Sequence, residues 1–134
     1  MKKVLFVCTG NAARSQMAEA FARHLGRGKI DASSAGVLPA KDISQTAVKV
    51  MLEKGIDISK NRPKKLTEEM FTGVDLVVTM GCSVQDVCPA PLFRNVEDWH
   101  LEDTKGMLIE NVREVRDEIE RRVVVLLKRL LSEN

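Results

Sequence analysis

The fold is decided near the amino terminus, where the sequence reads KVLFVC at residues 3–8, CTGNAARS at residues 8–15 and SQMAEAFARHLG at residues 15–26. The first stretch is short and apolar, as expected for a strand that is buried on both faces. The last stretch consists mainly of helix formers, with Ser15 as the expected N-cap and Gly26 as the expected end. The chain therefore turns from a buried strand into a helix through a loop that begins with a cysteine.

Strand-like and helix-like stretches continue to alternate along the rest of the chain. Apolar runs predict further strands at residues 29–36, 74–80 and 93–99, and amphipathic patterns predict helices at residues 44–55 and 108–131. This alternation indicates βαβ units and an α/β fold, in which helices pack on both faces of a parallel sheet. Such sheets bind ligands at the carboxyl ends of their strands, which is where the cysteine of the first loop lies.

Composition and charge limit the possible functions. We expect a single domain that spans residues 1–134. The formal net charge of +2 is too close to neutral to favour a nucleic acid or an anionic membrane as a partner. No apolar run approaches the roughly 18 residues of a membrane span, and the run at residues 4–8 is shorter than the core of a secretory signal. We therefore expect a cytoplasmic protein, whose three cysteines serve catalysis, redox chemistry or metal binding.

The loop at residues 8–15 has the residue types of an oxyanion site. Gly10 and Asn11 tolerate left-handed backbone angles and suit a tight turn, which aims several backbone N–H groups at one point. The dipole of the following helix and the guanidinium of Arg14 add positive charge there. The same charge favours a thiolate at Cys8, to which the Ser15 hydroxyl can donate a hydrogen bond. One loop can thus bind an oxyanion and supply the nucleophile that attacks it.

The spacing of the cysteine and the arginine is not specific by itself, because a buried structural cysteine can precede an exposed arginine by chance. The strand before the loop and the helix after it make the functional interpretation more specific. We assign catalytic roles in this loop to Cys8, Arg14 and Ser15. The predicted oxyanion-binding loop consists of Cys8, Thr9, Gly10, Asn11, Ala12, Ala13, Arg14 and Ser15.

The stretch CTGNAARSQMAEAF resembles the active-site loop and first helix of the low-molecular-weight protein tyrosine phosphatase fold. More narrowly, it is similar to the thioredoxin-coupled arsenate reductases built on that fold. Further agreement comes from SAG at 34–36, EKGIDIS at 53–59, DLVVTM at 75–80, the GC…CP segment at 81–89 and EDWHLED at 97–103. The resemblance covers nearly the whole chain. It implies a three-layer αβα sandwich with a four-stranded parallel sheet, and the reduction of arsenate to arsenite.

The resemblance also implies roles for Cys82 and Cys88, which follow the third predicted strand. After Cys8 has attacked arsenate, Cys82 attacks Cys8 and releases arsenite, and Cys88 then attacks Cys82 and frees Cys8. Thioredoxin or a similar external thiol reductant completes the cycle, with no bound cofactor. Because Cys82 must pair with both other cysteines, we expect residues 81–91 to change conformation on oxidation. Five residues separate Cys82 from Cys88, a spacing that disfavours a zinc site.

The family supplies the proton for the leaving oxygen from an aspartate in the loop after the fourth strand. The matching stretch here is WHLEDTKG at residues 99–106. It makes Asp103 the candidate general acid and leaves its neighbour Glu102 as the alternative. Thr104 stands where members of the family usually have proline.

Two other functions stay open on the sequence alone. The same loop binds phosphate, so the chain could be a low-molecular-weight tyrosine phosphatase with a phosphocysteine intermediate. Such phosphatases grip the tyrosyl ring with aromatic residues, and this chain has no tyrosine, four phenylalanines and one tryptophan, so we expect weak phosphatase activity only. The third function is a non-catalytic oxyanion sensor or redox switch. We expect a monomer, although the apolar run at residues 123–127 also suits a dimer face.

Overall fold

The elements follow one another in the alternating order that the sequence predicts. A computed structural model describes residues 1–81 and 95–132 of the chain. Its elements are β1 (Lys2–Cys8), α1 (Arg14–Leu25), β2 (Ile30–Gly36), α2 (Gln45–Leu52), a 3-10 turn (Glu68–Phe71), β3 (Leu76–Thr79), β4 (Val96–Asp98) and α3 (Ile109–Leu131). Within these residues, no helix combines the length and the apolar character needed to cross a membrane.

The four strands form one parallel sheet in the order β2-β1-β3-β4. The register pairs Cys8 with Gly36, Val7 with Thr79, and Thr79 with Asp98. The carboxyl ends of all four strands therefore meet at one edge of the sheet, and the chain segments that leave these ends are neighbours. The α/β class and the four-stranded parallel sheet are confirmed.

Side chains of β1 alternate between two apolar clusters, one on each face of the sheet. Val4 and Phe6 belong to the larger cluster, which includes buried side chains from α1, α2 and α3. Leu5 and Val7 belong to the smaller cluster, which is covered by partly buried apolar side chains in and beside the 3-10 turn. Because β1 is packed on both faces, the backbone that carries Cys8 at its end is held in a fixed position.

The prediction that Ser15 caps the first helix is wrong. Helix α1 begins at Arg14, with Ala13 at the N-cap position and no side-chain cap bond, so Ser15 lies in the first turn. Its hydroxyl instead lies 2.8 Å from the sulfur of Cys8 and accepts a hydrogen bond from Nδ2 of Asn11. Ser44 does cap α2, because its Oγ accepts a hydrogen bond of 3.1 Å from the backbone N–H of Ala47.

Ion pairs fasten the end of α2 to α3. Glu53 directly follows α2 and accepts hydrogen bonds from Arg113 (Nη2 to Oε2, 2.8 Å) and from Arg116 (Nη1 to Oε1, 2.6 Å). Arg116 is buried, and its Nη1 also donates to the carbonyl of Val50. The hydrogen bonds from Arg113 and Arg116 lower the pKa of Glu53 from its ordinary value of 4.5 to about 2.

We expect Glu53→Gln to lower the free energy of unfolding at neutral pH. A carboxyl group whose pKa is lower in the folded state stabilises the fold above its unfolded pKa, and this contribution disappears as the pH falls through the folded pKa. The stability difference between wild type and Glu53→Gln should therefore be largest at neutral pH and shrink between pH 4.5 and about pH 2. Urea denaturation at a series of pH values measures it.

Glu69→Gln is a suitable control, because Glu69 is exposed and has no ion pair among the residues that the structure describes. This variant should follow the wild-type pH profile throughout. Matching profiles for the two glutamine variants would contradict the role assigned to Glu53.

Candidate active site

Cys8 is the last residue of β1, and its thiol lies at the amino end of α1. The residue is 3% exposed. The backbone N–H of Asn11 donates to its Sγ over 3.0 Å, and the Oγ of Ser15 lies 2.8 Å from the same sulfur. Both neighbours can donate hydrogen bonds to sulfur, which is the environment that a thiolate nucleophile requires.

The loop after Cys8 packs directly onto the end of β2, which explains the glycine of the SAG stretch. A Cβ atom on Gly36 would lie 2.6 Å from the carbonyl oxygen of Thr9 and 2.9 Å from the backbone nitrogen of Asn11. Any side chain at this position would displace the loop, because both contacts are with backbone atoms. The chain after β2 runs beside the loop, where the N–H of Leu38 donates to the carbonyl of Thr9 over 2.9 Å.

Asn11 makes the turn of the loop, and its side chain holds that turn in place. Its φ is 52°, a left-handed value that is uncommon for a residue other than glycine. The fully buried amide donates from Nδ2 to the Oγ of Ser15 (2.8 Å) and to the Oγ of Ser34 (3.0 Å). Its Oδ1 accepts the backbone N–H of Lys64 over 2.8 Å. Asn11 therefore joins the loop to α1, to β2 and to a distant part of the chain.

Sequence reasoning missed a polar cluster behind the loop. The buried hydroxyl of Ser34 donates to Glu19, which is itself buried on α1. Glu19 also forms ion pairs with Arg23 (3.0 Å) and with Lys64 (3.7 Å). The only signal in the sequence is the spacing of four residues between Glu19 and Arg23 on one helix face. The cluster stabilises the loop, because the Oγ of Ser34 also accepts a hydrogen bond from the side chain of Asn11.

Arg14 connects the loop to the ends of two other strands. The residue is 7% exposed, and its Nη1 donates to the carbonyl of Met80 (2.5 Å) and to that of Leu101 (2.9 Å). Met80 directly follows β3, and Leu101 follows β4. A guanidinium has five N–H donors, and the described residues supply acceptors to Nη1 alone. The remaining donors can bind an oxyanion.

A cavity of about 500 Å³ opens in front of Cys8. It is lined by the loop, by side chains between residues 38 and 46, and by residues 103–107. Asp103 and Lys105 are part of this lining. Within the described part of the chain, no aromatic residue lines the cavity.

The two candidate acids lie in different places. Asp103 lines the cavity that contains Cys8, whereas Glu102 lines a neighbouring groove that does not include Cys8. The Oδ1 of Asp103 accepts the backbone N–H of Lys105 over 3.1 Å, which orients the carboxylate. Thr104 is buried, and its carbonyl accepts the backbone N–H of Met107 over 3.0 Å. The geometry therefore favours Asp103 over Glu102 as a proton donor to a group bound at Cys8.

Cys82 and Cys88 lie outside the described residues, and so does the segment expected to change conformation, except for Gly81. Gly81 directly precedes Cys82 and has a left-handed φ of 92°. The residue before it, Met80, is held by Arg14. The roles of Cys82 and Cys88 in a thiol relay stay predictions.

Comparisons with known proteins agree with the geometry. The chain matches the family model described as low molecular weight phosphotyrosine protein phosphatase over residues 3–134. It is 40% identical over 132 residues to the glutaredoxin arsenate reductase of Synechocystis sp., a match that covers 97% of this chain and 99% of that protein.

Solved structures are similar over the same range. An arsenate reductase in the phosphate binding state is 40% identical, with a TM-score of 0.84 over 96% of this chain and 98% of that one. A thioredoxin-dependent arsenate reductase from Corynebacterium glutamicum is 36% identical, with a TM-score of 0.84 over 100% of this chain and 64% of that one.

Proposed function

The chain belongs to the low-molecular-weight phosphotyrosine protein phosphatase family, and we propose that it uses the oxyanion loop to reduce arsenate to arsenite. The observation that carries this proposal is the thiol of Cys8, which lies at a cavity shared by Arg14 and Asp103. The names of the similar proteins support arsenate as the substrate, since the relatives at 36–40% identity described above are arsenate reductases.

In the first step the Cys8 thiolate attacks the arsenic atom of bound arsenate. A sulfur–arsenic bond forms and the bond from arsenic to a hydroxyl group of arsenate breaks, and this hydroxyl leaves as water after it accepts a second proton from Asp103. Arg14 and the N–H groups of the loop hold the oxygens that remain on arsenic. Arsenic is still pentavalent at this stage.

In the second step the Cys82 thiolate attacks the sulfur of Cys8. A disulfide forms between the two cysteines, the sulfur–arsenic bond breaks, and its electron pair stays on arsenic, which leaves as trivalent arsenite. The two sulfur atoms thus lose the two electrons that arsenic gains. Cys88 then attacks Cys82, releases Cys8 as a thiolate and leaves a Cys82–Cys88 disulfide.

An external dithiol reductant closes the cycle by reducing the Cys82–Cys88 disulfide. Thioredoxin and glutaredoxin each appear in the name of a similar protein, so we propose a reductant of this class. These steps require no bound cofactor. We propose that the enzyme acts as a monomer in the cytoplasm, where reductants of this kind keep thiols reduced.

The second candidate function is phosphoester hydrolysis. The same loop can bind phosphate, Asp103 can protonate an alcohol leaving group, and a phosphocysteine at Cys8 would be the intermediate. The described lining of the cavity has no aromatic side chain, so a tyrosyl ring finds no stacking partner there. We propose phosphatase activity as a weak side reaction.

We expect Asp103→Asn to slow both arsenate reduction and aryl phosphate hydrolysis, each by about 100-fold, because both leaving oxygens lose their proton donor. Glu102→Gln is the matched control. It removes the neighbouring carboxyl group, which lines a different groove, and should change either rate by no more than about threefold. A larger loss with Glu102→Gln than with Asp103→Asn would assign the proton donor to Glu102.

A thiol count after exposure to arsenate tests the proposed function. The fully reduced protein, freed of reductant without air, is mixed with arsenate, and its disulfides are mapped by mass spectrometry. The reductase proposal requires the loss of two thiols and a final Cys82–Cys88 disulfide, with one arsenite formed per protein. A phosphate control should leave all three thiols reduced. Three thiols surviving arsenate would exclude the relay and shift the assignment to phosphatase.

A further inference from the structure

The carboxylate of Asp98 binds two backbone N–H groups at the edge of the active site. Asp98 is the last residue of β4, and its side chain is 29% exposed. Its Oδ1 accepts the N–H of Gly81 over 2.7 Å and the N–H of His100 over 3.0 Å. The same carboxylate therefore joins the chain after β3 to the chain after β4.

Both residues that donate these N–H groups have left-handed backbones. Gly81 has a φ of 92° and His100 a φ of 49°, and His100 is, with Asn11, one of two non-glycine residues with positive φ among those described. Such a conformation is unfavourable for a residue with a side chain and persists only where its surroundings enforce it. The Nδ1 of His100 also lies 3.3 Å from the Oδ2 of Asp98, so both carboxylate oxygens contact this bend.

The bend at Gly81 is tied to the catalytic loop as well. A Cβ on Gly81 would lie 3.0 Å from the carbonyl oxygen of Leu101, so the two backbones are in close contact. That same carbonyl accepts a hydrogen bond from Arg14, which also binds the carbonyl of Met80. Arg14 and Asp98 thus hold the same peptide group from its two sides, Arg14 through the carbonyl of Met80 and Asp98 through the N–H of Gly81.

We propose that Asp98 is a positioning residue for the thiol relay. It fixes the backbone at Gly81, and thereby the starting point of the chain that leads into Cys82. This inference rests on the proposed function, in which the Cys82 thiolate forms a disulfide with Cys8 while the electron pair of the sulfur–arsenic bond leaves with arsenite.

The demands of disulfide formation explain why such a fixed point matters. The Cα atoms of a disulfide lie about 4.4–6.8 Å apart, and the attacking thiolate must approach along the bond that breaks. Displacing a reacting group by even about 1 Å can slow a reaction roughly 100-fold. Hydrolysis of an aryl phosphate needs Cys8, Arg14 and Asp103 but not Cys82. Loss of the Asp98 contacts should therefore affect disulfide formation more than hydrolysis.

The test uses the full chain in a Cys88→Ser background, so that the Cys8–Cys82 disulfide accumulates. The effective concentration of Cys82 toward Cys8 is measured by equilibrating the protein in glutathione redox buffers. The kcat for aryl phosphate hydrolysis is measured in parallel. The variants are Asp98→Ala, which removes the acceptor, Asp98→Asn, which keeps an amide oxygen as acceptor, and Asp98→Glu, which displaces the carboxylate by one methylene group.

Asp75→Ala is the matched control. The Oδ2 of Asp75 accepts the backbone N–H of Lys3 over 2.7 Å, so this carboxylate ties two strands together at the opposite end of the sheet. A general loss of stability from removing such a contact should appear in both alanine variants. An effect on the pairing of Cys8 with Cys82 should appear only at Asp98.

We expect Asp98→Ala to lower both the effective concentration of Cys82 toward Cys8 and the kcat for hydrolysis, but the fold-decrease in the effective concentration should be about ten times larger. Asp98→Asn should restore most of the loss, and Asp75→Ala should leave the effective concentration at the wild-type value. If Asp98→Ala does not fold, Asp98→Glu should still lower the effective concentration more than Asp98→Asn does. An unchanged effective concentration, or an equal loss of hydrolysis, would overturn the inference.

Failure of the inference and failure of the proposed function give different results. If arsenate leaves the thiols of the wild type intact while Asp98→Ala still weakens pairing in glutathione buffers, the function is wrong and the positioning role stands. If arsenate consumes two thiols while the Asp98 variants pair like the wild type, the function stands and the positioning role is wrong.

Discussion

Cys8→Ser is expected to abolish arsenate reduction and aryl phosphate hydrolysis together, each by at least about a thousandfold. The serine hydroxyl stays protonated near neutral pH, whereas the sulfur of Cys8 is the proposed nucleophile of both reactions. Replacement of sulfur by oxygen also removes the atom that would bond to arsenic and then form the Cys8–Cys82 disulfide. Steady-state arsenate reduction, coupled to a reductant and followed as arsenite formed, measures the first loss, and release of an aryl alcohol measures the second.

The same substitution should leave the fold intact, which makes the loss of activity interpretable. A serine Oγ can accept the N–H of Asn11 and bind the Oγ of Ser15, as the sulfur does. The thermal unfolding midpoint should therefore stay close to the wild-type value, and the variant should still bind phosphate in the cavity. If a well-folded Cys8→Ser variant kept more than about 1% of either wild-type activity, Cys8 would not be the nucleophile of that reaction.

Cys82→Ser should separate the two activities. Arsenate reduction should fall to background, because no thiolate can resolve the arsenic adduct on Cys8, while aryl phosphate hydrolysis should stay within about threefold of wild type. Parallel assays of arsenite formation and of aryl alcohol release on one protein preparation make the comparison. The relay predicts this selective loss because it requires Cys82. A mechanism in which Cys8 acts alone predicts no loss of either activity.

Cys88→Ser is the comparison variant for this prediction. It should release one arsenite per protein and then stop with a Cys8–Cys82 disulfide, which mass spectrometry identifies. A Cys82→Ser variant that reduces arsenate continuously with thioredoxin would show that Cys8 is resolved by another group. Equal loss of hydrolysis in Cys82→Ser would show instead that the substitution damages the oxyanion site.

The local elements follow from short-range patterns, and the sequence predicts them well. The apolar run before Cys8 forms β1 as expected, and the long amphipathic pattern near the carboxyl end forms α3 (Ile109–Leu131), within a residue of its predicted limits. The residue at which a helix begins is harder to predict from sequence. A serine caps a helix only if its hydroxyl accepts a backbone N–H of the first turn, and this depends on the other groups around it. Serine is a common N-cap residue, yet the Oγ of Ser15 contacts the sulfur of Cys8 and accepts a hydrogen bond from the side-chain amide of Asn11.

The amino-acid order near residue 8 is enough to predict a buried strand, a tight loop and a helix, and hence a thiol beside several N–H groups. These features lie within about 20 residues of one another, where periodicity and turn preferences operate. The same local information places a cysteine, an arginine and a serine in one loop.

The contacts between segments that are distant in sequence are visible only in the three-dimensional structure. Asn11 binds Ser34 across 23 positions, and Asp98 binds Gly81 across 17. Asp103 and Glu102 are neighbours in sequence, yet only Asp103 shares a cavity with Cys8. Parallel strands bring such segments together because each crossover returns the chain to the same edge of the sheet, and the strand register that sets their distances depends on packing across the whole core.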